Sequence, residues 1–570
     1  MSEWKKILEE IASDISDAAG VSVSVDDLMT PPDEALGDIA FPCFKLAKEW
    51  GKNPGEIALA LATKMKTGKS GIQLAKAEGP YLNITLNGGD VTARILESVE
   101  KEGKAFGQSH SGKDRELMLE YAQPNTHKEI HIGHLRNLVL GSSLHRILHA
   151  TGWKVISASY HGDVGAHVAK CLWLLTEEGG LDAIPESYRI GKTLGDLYAR
   201  ATALIEEKPE LKERVSEVQQ KLEAEDPTLT ALWEETRSWS LHDMDDIFEE
   251  LGVETERRYF ESEVEKTGQG IVDELLEKDI AQESEGAVIV DLETKKLGIL
   301  VIRKSDGTSL YATKDLALAK LKFEEYPDIE RSLHIVDNRQ EYYFKQLFEV
   351  FRQMGFEAPM EFIGYDFVTL TSGAMSSRTG NIVTYHDFRE EMLKHVRDET
   401  VKRHPEWSQD RVQKTAYAIL YAGVKFGMLR QSRDKVYTFD PHLALSFEGE
   451  TGPYIQYAAT RLGSILKKAE WTGEREGDLR HLDHPSEKRL AITIGRFPLL
   501  VEKAAEKMEP AVLAQWCIEM AHRINVFYRD VSVLDSRKEE RAARLRLVAC
   551  AQKALLSGLH LLGIPVPQEM

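Results

Sequence analysis

Apolar residues change their spacing along this chain, and each change marks an element. From Glu116 to Tyr121 they form a run of strand length, after which Leu135, Leu138, Val139, Leu144, Ile147 and Leu148 recur at helical spacing until Thr151-Gly152 closes the helix. A second strand, Lys154 to Tyr160, follows at once. Strand, helix and strand read as a βαβ unit, whose ligands sit outside the carboxyl ends of the strands. The polar stretch from Gln123 to His134 lies at such an end, so chemistry is expected there.

Residues 1–108, before this unit, predict a small α+β domain. Asn53-Pro54-Gly55-Glu56 is a helix start with a capping residue, proline at the first helical position and glutamate in the first turn. Tyr81 to Leu86 alternates like a strand, and Gly107 to Lys113 has linker composition. From about 176 to 296 charged helical patterns replace strand signals, as expected of an insertion. Strand character returns at Leu297 to Arg303, with a hairpin turn at Asp306-Gly307, and again at Ser332 to Val336 and near Phe362 to Leu370. Thr371 to Asn381, with two glycines and a run of hydroxyls, suits a loop that folds over a phosphate. From His386 onward the pattern predicts helices only, at about 411–430, 453–469, 485–508, 510–532 and 537–561. The fold class is therefore α/β: a parallel-sheet domain over 109–395 carrying the insertion, the small α+β N-terminal domain, and an all-α helical bundle over 396–570.

Composition narrows the setting. With 570 residues and 42% hydrophobic side chains the chain is long enough for several buried cores. No apolar run reaches the roughly 18 residues of a membrane span, and the amphipathic start, Trp4, Ile7, Leu8 and Ile11, does not resemble a secretion signal. A cytoplasmic protein with no membrane partner is expected. Cys43, Cys171, Cys517 and Cys550 lie far apart, which argues for reduced thiols and against structural zinc. A net charge of −21 speaks against a nucleic-acid partner until its distribution is read: residues 171–300 hold 33 acidic and 14 basic side chains, leaving about −2 for everything else. The remaining surface can still present basic groups to phosphates.

The chemistry-bearing residues fall at element ends. His127, His131 and His134 surround Gly133 where a strand hands over to a helix. Metal binding competes for them, but His127 to His131 reads H-x-E-x-H, whereas zincins and inverzincins place the glutamate directly beside a histidine, so no metal site is expected. Tyr311 and Asp315 are four apart at a helix start, and Glu120, the stretch Tyr259 to Ser262 and Gln340 also border the α/β domain. Carboxylates with a phenol suit a planar cation such as a guanidinium. Lys128, Arg136 and Arg378 suit the opposite task, neutralising a polyphosphate.

These residues resemble those of class I aminoacyl-tRNA synthetases. His131-Ile132-Gly133-His134 is similar to the HIGH signature, and Ala374-Met375-Ser376-Ser377-Arg378 stands where the KMSKS loop belongs. Pro124-Asn125, Asp306-Gly307-Thr308 leading to Tyr311 and Asp315, Gln340, Tyr454 to Arg461 and the chain end from Leu561 to Met570 resemble arginyl-tRNA synthetases in particular, and the likeness spans essentially the whole chain. The resemblance implies a Rossmann-type catalytic domain that forms arginyl-adenylate from L-arginine and ATP with Mg2+, then charges the arginine tRNA; a monomer is expected. It implies His131, Gly133, His134, Met375, Ser376 and Ser377 at ATP, with His131, His134, Lys128 and Arg378 catalytic. It places Glu120, Asn125, Glu261, Tyr311, Asp315 and Gln340 at arginine, Tyr81 and Asn83 at the tRNA through the N-terminal domain, and Tyr454, Tyr457, Arg461, Tyr528 and Met570 at the anticodon arm. The chain departs from the family at the loop, where Ala374 and Ser377 occupy both lysine positions. Some members lacking that lysine carry one just before HIGH, where Lys128 stands, so Lys128 is expected to bring the missing charge. A synthetase-like RNA-binding protein without catalysis, and a class I synthetase for another amino acid, share enough of these residues to remain alternatives.

Overall fold

The computed structural model describes the whole chain except residues 1, 306–310, 357–358, 371–382 and 474. The chain forms two compact units, one comprising His110–Leu445 with Met508–Ala511, the other Met1–Ser109, Ser446–Lys507 and Val512–Met570.

The first unit is built on a parallel sheet of five strands: β1 (Glu116–Glu120), β2 (Lys154–His161), β3 (Arg257–Phe260), β4 (Ile329–Asp337) and β5 (Met360–Tyr365). Their spatial order is β5-β4-β1-β2-β3, so the direction of strand addition reverses between β1 and β4. In an open sheet of this kind the crevice at that reversal receives the ligand. The registers set Glu120 beside His334 there. Leu117, Met118 and Leu119 are fully buried, as the continuous apolar run of a doubly covered parallel strand requires.

Six helices matter for the site: α1 (Ile132–Ala150), α2 (Ala166–Glu177), α3 (Pro227–Leu251), α4 (Glu261–Glu277), α5 (Tyr311–Glu325) and α6 (Glu341–Gln353). Helices α4, α5 and α6 share one core with Met118, Ile156, Ala158 and Tyr259 of the sheet. The crossover helix α1 is buried around most of its circumference.

Two expectations about this unit are corrected. The span 176–296 is not a purely helical insertion, because the chain returns to the sheet as β3 and then forms a small antiparallel sheet from Gln282–Ser284, Ala287–Asp291 and Ile299–Arg303. Strand β3 is a four-residue edge strand beginning Arg257-Arg258, too short and too charged to show a period of two. The expected turn at Asp306-Gly307 lies outside the described residues. The chain after His386 is not all helical either, since Tyr437–Phe439 pairs in parallel with Val368–Leu370. A strand of three residues offers no periodicity to read.

In the second unit, Tyr81–Leu86 is the central strand of an antiparallel sheet, between Ile39–Pro42 and Ile72–Glu78. Asn53 caps the helix Pro54–Lys64 by accepting from the Gly55 N–H, as its sequence predicts. The helices Pro485–Glu506 and Lys538–Leu561 pack against Gly88–Glu102, and Gly452–Lys468 packs against Lys538–Leu561. Arg546 grips both oxygens of Glu100 at 2.8 Å, and Lys488 meets Asp38 at 2.7 Å.

Candidate active site

The site is assembled around the loop that joins β1 to α1. Two non-glycine residues of this loop, Ala122 and His127, have φ of +60° and +58°. A backbone held there costs on the order of 1–3 kcal/mol and persists only where the surroundings fix it. Asn137 fixes Ala122, accepting from its N–H at 2.7 Å while donating to the Ile335 carbonyl at 2.8 Å. Thr126 donates its backbone N–H to the Gly162 carbonyl at 3.0 Å, joining this loop to the one after β2. His127 is fully buried, its ring between Thr126 Oγ1 at 3.0 Å and Thr236 Oγ1 at 2.9 Å. Burial pushes it down to about 3, so it is a neutral structural residue, separate from the other two histidines.

His131 caps α1 and His134 answers it. His131 Nδ1 accepts from the Gly133 N–H at 3.0 Å, and His134 Nδ1 accepts from the His131 N–H at 3.1 Å. With both Nδ1 atoms occupied as acceptors, each neutral ring must carry its proton on Nε2. Burial, with the Lys128 charge adding to it, holds His131 below and His134 well below the usual imidazole range. Two Nε2–H donors therefore stand side by side, ring centroids 3.9 Å apart, at the positive end of a helix. A side chain at Gly133 would come within 2.7 Å of the His131 ring, so only glycine lets this turn close.

Acidic groups gather at the ends of β1, β2 and β3. Glu120 is 4% exposed and ion-paired with the equally buried Lys322, with His334 Nδ1 3.4 Å away. Burial alone would raise its carboxyl, but Lys322 and His334 outweigh this and hold it at about 2. Glu261, the first residue of α4, pairs with Lys314 at 3.1 Å, and Lys314 also meets Glu265 at 3.2 Å. Gly162 runs so close to this point that a Cβ there would lie 2.7 Å from Asn125 Oδ1 and 3.1 Å from Glu261 Oε1, which puts Asn125 and Glu261 together. Asp315 accepts from the Tyr343 hydroxyl, and burial first, then Glu120 and Glu261, pushes it up to about 7.

Sequence reasoning missed Lys314, Lys322, His334, Tyr343 and Tyr160. The Tyr160 hydroxyl is buried without a hydrogen-bond partner among the described residues, and it stands in the field of Asp315, Glu261, Glu120 and Asp163. Lys314 immediately precedes the expected Asp315 on α5, and Lys322 follows it by seven residues, two turns along; position on this helix was the signal the sequence offered.

The other expected residues are placed as follows. Lys128 lies with Nζ 5.0 Å from the Tyr198 ring, and burial lowers its ammonium. Tyr311 is 68% exposed and stands in the field of Glu261 and Asp315, and Gln340 is exposed ahead of α6. Ala374, Met375, Ser376, Ser377 and Arg378 lie outside the described residues. Arg136 is not available to a polyphosphate: it is 1% exposed and donates to the carbonyls of Asp366, Ser432, Arg433 and Lys435. Glu129 ends half-buried, and among the described residues no three His, Cys, Asp or Glu side chains stand together as a metal cage.

In the other unit, Arg461 stacks 3.6 Å over Tyr528 and 5.8 Å from Tyr457, both rings exposed, while Tyr454 accepts from Asn525 at 2.7 Å and Met570 is half-buried. Tyr81 packs edge-on against Phe44. Asn83 is 3% exposed, so its side chain offers no surface to an RNA.

The strand order, the fixed pair of histidines at the first helix and the crevice between β1 and β4 define the catalytic domain of a class I aminoacyl-tRNA synthetase, a class of ATP-dependent ligases. Residues 95–441 match the family described as "tRNA synthetases class I (R), catalytic domain", residues 2–86 the arginyl tRNA synthetase N terminal domain, and residues 455–570 the DALR anticodon binding domain. The arginine–tRNA ligase of Bdellovibrio bacteriovorus is 37% identical over 567 residues, 96% of each chain, and that of Treponema denticola 32% identical over 592 residues, 100% of this chain and 99% of that one. The Thermus thermophilus arginyl-tRNA synthetase superposes with a TM-score of 0.80 at 26% identity, covering 99% of this chain and 100% of that one. The chain belongs to the arginyl-tRNA synthetase family.

Proposed function

We propose that this chain carries out its family's reaction in the cytoplasm, as a monomer: L-arginine and ATP give arginyl-adenylate and pyrophosphate, and the arginyl group then passes to the 3′ end of the arginine tRNA. The observation that carries the reading is the pair of backbone-fixed Nε2–H donors of His131 and His134, at one end of a loop whose other end is Glu120.

In the first step a carboxylate oxygen of arginine attacks the α-phosphorus, its bond to the pyrophosphate oxygen breaks, and pyrophosphate leaves. In the second a terminal ribose hydroxyl attacks the arginyl carbonyl, loses its proton, and AMP leaves. Neither step needs an enzyme nucleophile, so catalysis is positioning and charge stabilisation. His131 and His134 donate to the phosphate oxygens on which charge grows, and being neutral already they need no proton from solvent. Glu261, Asp315 and Tyr311 receive the guanidinium, and Glu120, Asn125 and Gln340 surround the α-amino and carboxylate groups. Lys128 brings positive charge to the phosphates in place of the loop lysine, together with Arg378, and Met375, Ser376 and Ser377 meet ATP. Mg2+ would neutralise ATP phosphate oxygens; the described residues form no cage for it, and no step above runs through it. Tyr454, Tyr457, Arg461, Tyr528 and Met570 meet the anticodon arm, where exposed rings stack on bases, and Tyr81 meets the tRNA from the N-terminal sheet.

Charging of total tRNA with each amino acid, with ATP and Mg2+ present, tests the reading. Charging by arginine alone is the expected result. Charging by another amino acid makes this a different class I synthetase, and no charging makes it a binding protein.

A further inference from the structure

One helix touches three segments that border the proposed site. On α3 the side chains of Trp233, Thr236, Arg237, Ser240, Asp243 and Glu250 recur at intervals of three, four or seven, which sets them on one face. Trp239, three residues after Thr236 and four before Asp243, borders this face and belongs to the core that the preceding helices form among themselves.

At its first contact the face holds the loop after β2. The Trp233 indole N–H donates to the Asp163 carbonyl at 2.7 Å, and Arg237 Nε lies 3.0 Å from Asp163 Oδ2 with its guanidinium 3.9 Å over the Phe260 ring. Asp163 is fully buried and accepts from both the N–H and the hydroxyl of Ser262, the neighbour of Glu261. At its second contact the face holds the β1–α1 loop. Ser240 Oγ accepts the His127 N–H at 2.8 Å. Thr236 Oγ1 donates to the Leu232 carbonyl and so accepts from His127 Nε2–H, which keeps the left-handed backbone of His127 in place just before Lys128.

At its third contact the face holds the segment that begins the helix Tyr385–Arg403. Asp243 meets His386 Nε2 at 2.7 Å, and Glu250 accepts from the Tyr385 hydroxyl at 2.8 Å and from Arg389. That segment pairs directly with the histidine loop: Tyr385 N–H donates to the Ile130 carbonyl at 2.8 Å, Ile132 N–H to the Val383 carbonyl at 3.3 Å, and His131 bridges Thr384.

We propose that α3 is a positioning strut, in which Asp243 and Glu250 set the nucleotide histidines through residues 383–389, and Arg237 sets Glu261 through Asp163 and Ser262. None of these three touches substrate. Displacing a reacting group by about 1 Å costs on the order of a hundredfold in rate, so a strut that shifts its loops by less acts measurably on binding. Its mark is a split by position along one helix, which general loss of stability does not give.

The proposal rests on the nucleotide and arginine assignments above, and His134→Ala and Glu261→Gln, assayed in parallel, test those separately. Pyrophosphate exchange with tRNA present is measured for Asp243→Asn, Glu250→Gln and Arg237→Lys, with thermal melting of each. Asp243→Asn and Glu250→Gln are expected to raise KM for ATP about tenfold and leave KM for arginine within about twofold, and Arg237→Lys to do the reverse. Equal changes in both constants, a fall in melting temperature alone, or no change overturns the strut, provided the two control variants lose activity. If Arg237→Lys fails to fold, Ser262→Ala, which removes one of the two bonds to Asp163, is measured in its place with the same expected rise in KM for arginine.

Discussion

On the nucleotide side of the crevice His131 and His134 are three residues apart and fix one another through the N–H groups of a single helical turn. On the arginine side Glu120 is held by Lys322, 202 positions away, and Glu261 by Lys314, 53 positions away. The first arrangement is neutral and local, so its geometry survives whatever happens to distant parts of the sheet. The second buries full charges, which is tolerable only while each keeps its partner. On the proposed function a phosphate is served by donors already in place, and a guanidinium by carboxylates, of which Glu120 is held ionised by its partners while burial raises Asp315 to about 7.

The largest expected effect comes from breaking a buried pair. Lys322→Met should lower unfolding stability by about 3–5 kcal/mol, because it leaves the Glu120 carboxylate buried without compensation. Urea denaturation measures this, and Lys322→Met with Glu120→Gln should recover much of the loss. A loss below about 1 kcal/mol for Lys322→Met would mean that the arginine side does not depend on charge pairing.

His134→Ala should show the opposite signature. Its cap is worth about 1 kcal/mol of stability, whereas losing a donor to the charge that grows on phosphate should lower the adenylation rate by about 10²–10³. Single-turnover adenylate formation beside a denaturation curve separates the two. A variant that loses stability and rate in equal measure would remove the distinction between the sides.

The same contrast explains what the sequence could disclose. The His131 to His134 spacing, the Asn53 cap and the strand Tyr81–Leu86 are local, and each was readable from its own few residues. Tyr160 could not be read, because a tyrosine one residue from a strand end is ordinarily core and only the fold surrounds its hydroxyl with four carboxylates. Lys322 was invisible as a partner of Glu120 for the same reason, and Arg136 misled because a buried arginine bonded to four carbonyls has the same letter as one that binds phosphate. The edge strand β3 was lost because four residues beginning with two arginines carry no period.

A smaller effect separates the sides by pH. Burial raises Asp315 to about 7 in the free protein, above the 3.8 of an ordinary aspartate. Its folded-state stability is therefore fully present below about pH 4 and is lost as pH rises through about 7. The guanidinium of arginine favours the ionised carboxylate, so below pH 7 binding must expel a proton. KM for arginine should fall by up to about tenfold per unit as pH rises toward 7 and level off above it. Asp315→Asn should abolish the slope, and Glu120, held at about 2, adds none in this window. KM for ATP should stay nearly flat across the same range, since His131 and His134 are held below the usual imidazole value and are already neutral. Titrating both constants over about pH 5.5 to 8.5 decides it: a flat arginine profile would show that Asp315 is ionised before the ligand arrives.

The smallest effect concerns Lys128, on the nucleotide side. Lys128 is kept near the histidines by the face of Tyr198, 5.0 Å from its Nζ, and its charge helps hold both imidazoles neutral. Lys128→Ala should raise KM for ATP about tenfold if the residue stands in for the two loop positions occupied by Ala374 and Ser377. Tyr198→Leu removes only the ring face, worth about 0.5–1 kcal/mol at a partly exposed site, and should raise the same constant by about twofold to fivefold. Combining the two substitutions should give no more than Lys128→Ala alone, because the ring acts only through the ammonium. Additive effects would place Tyr198 in direct contact with the nucleotide, and an unchanged KM in Lys128→Ala would leave the histidines as the only groups of this loop that act on ATP.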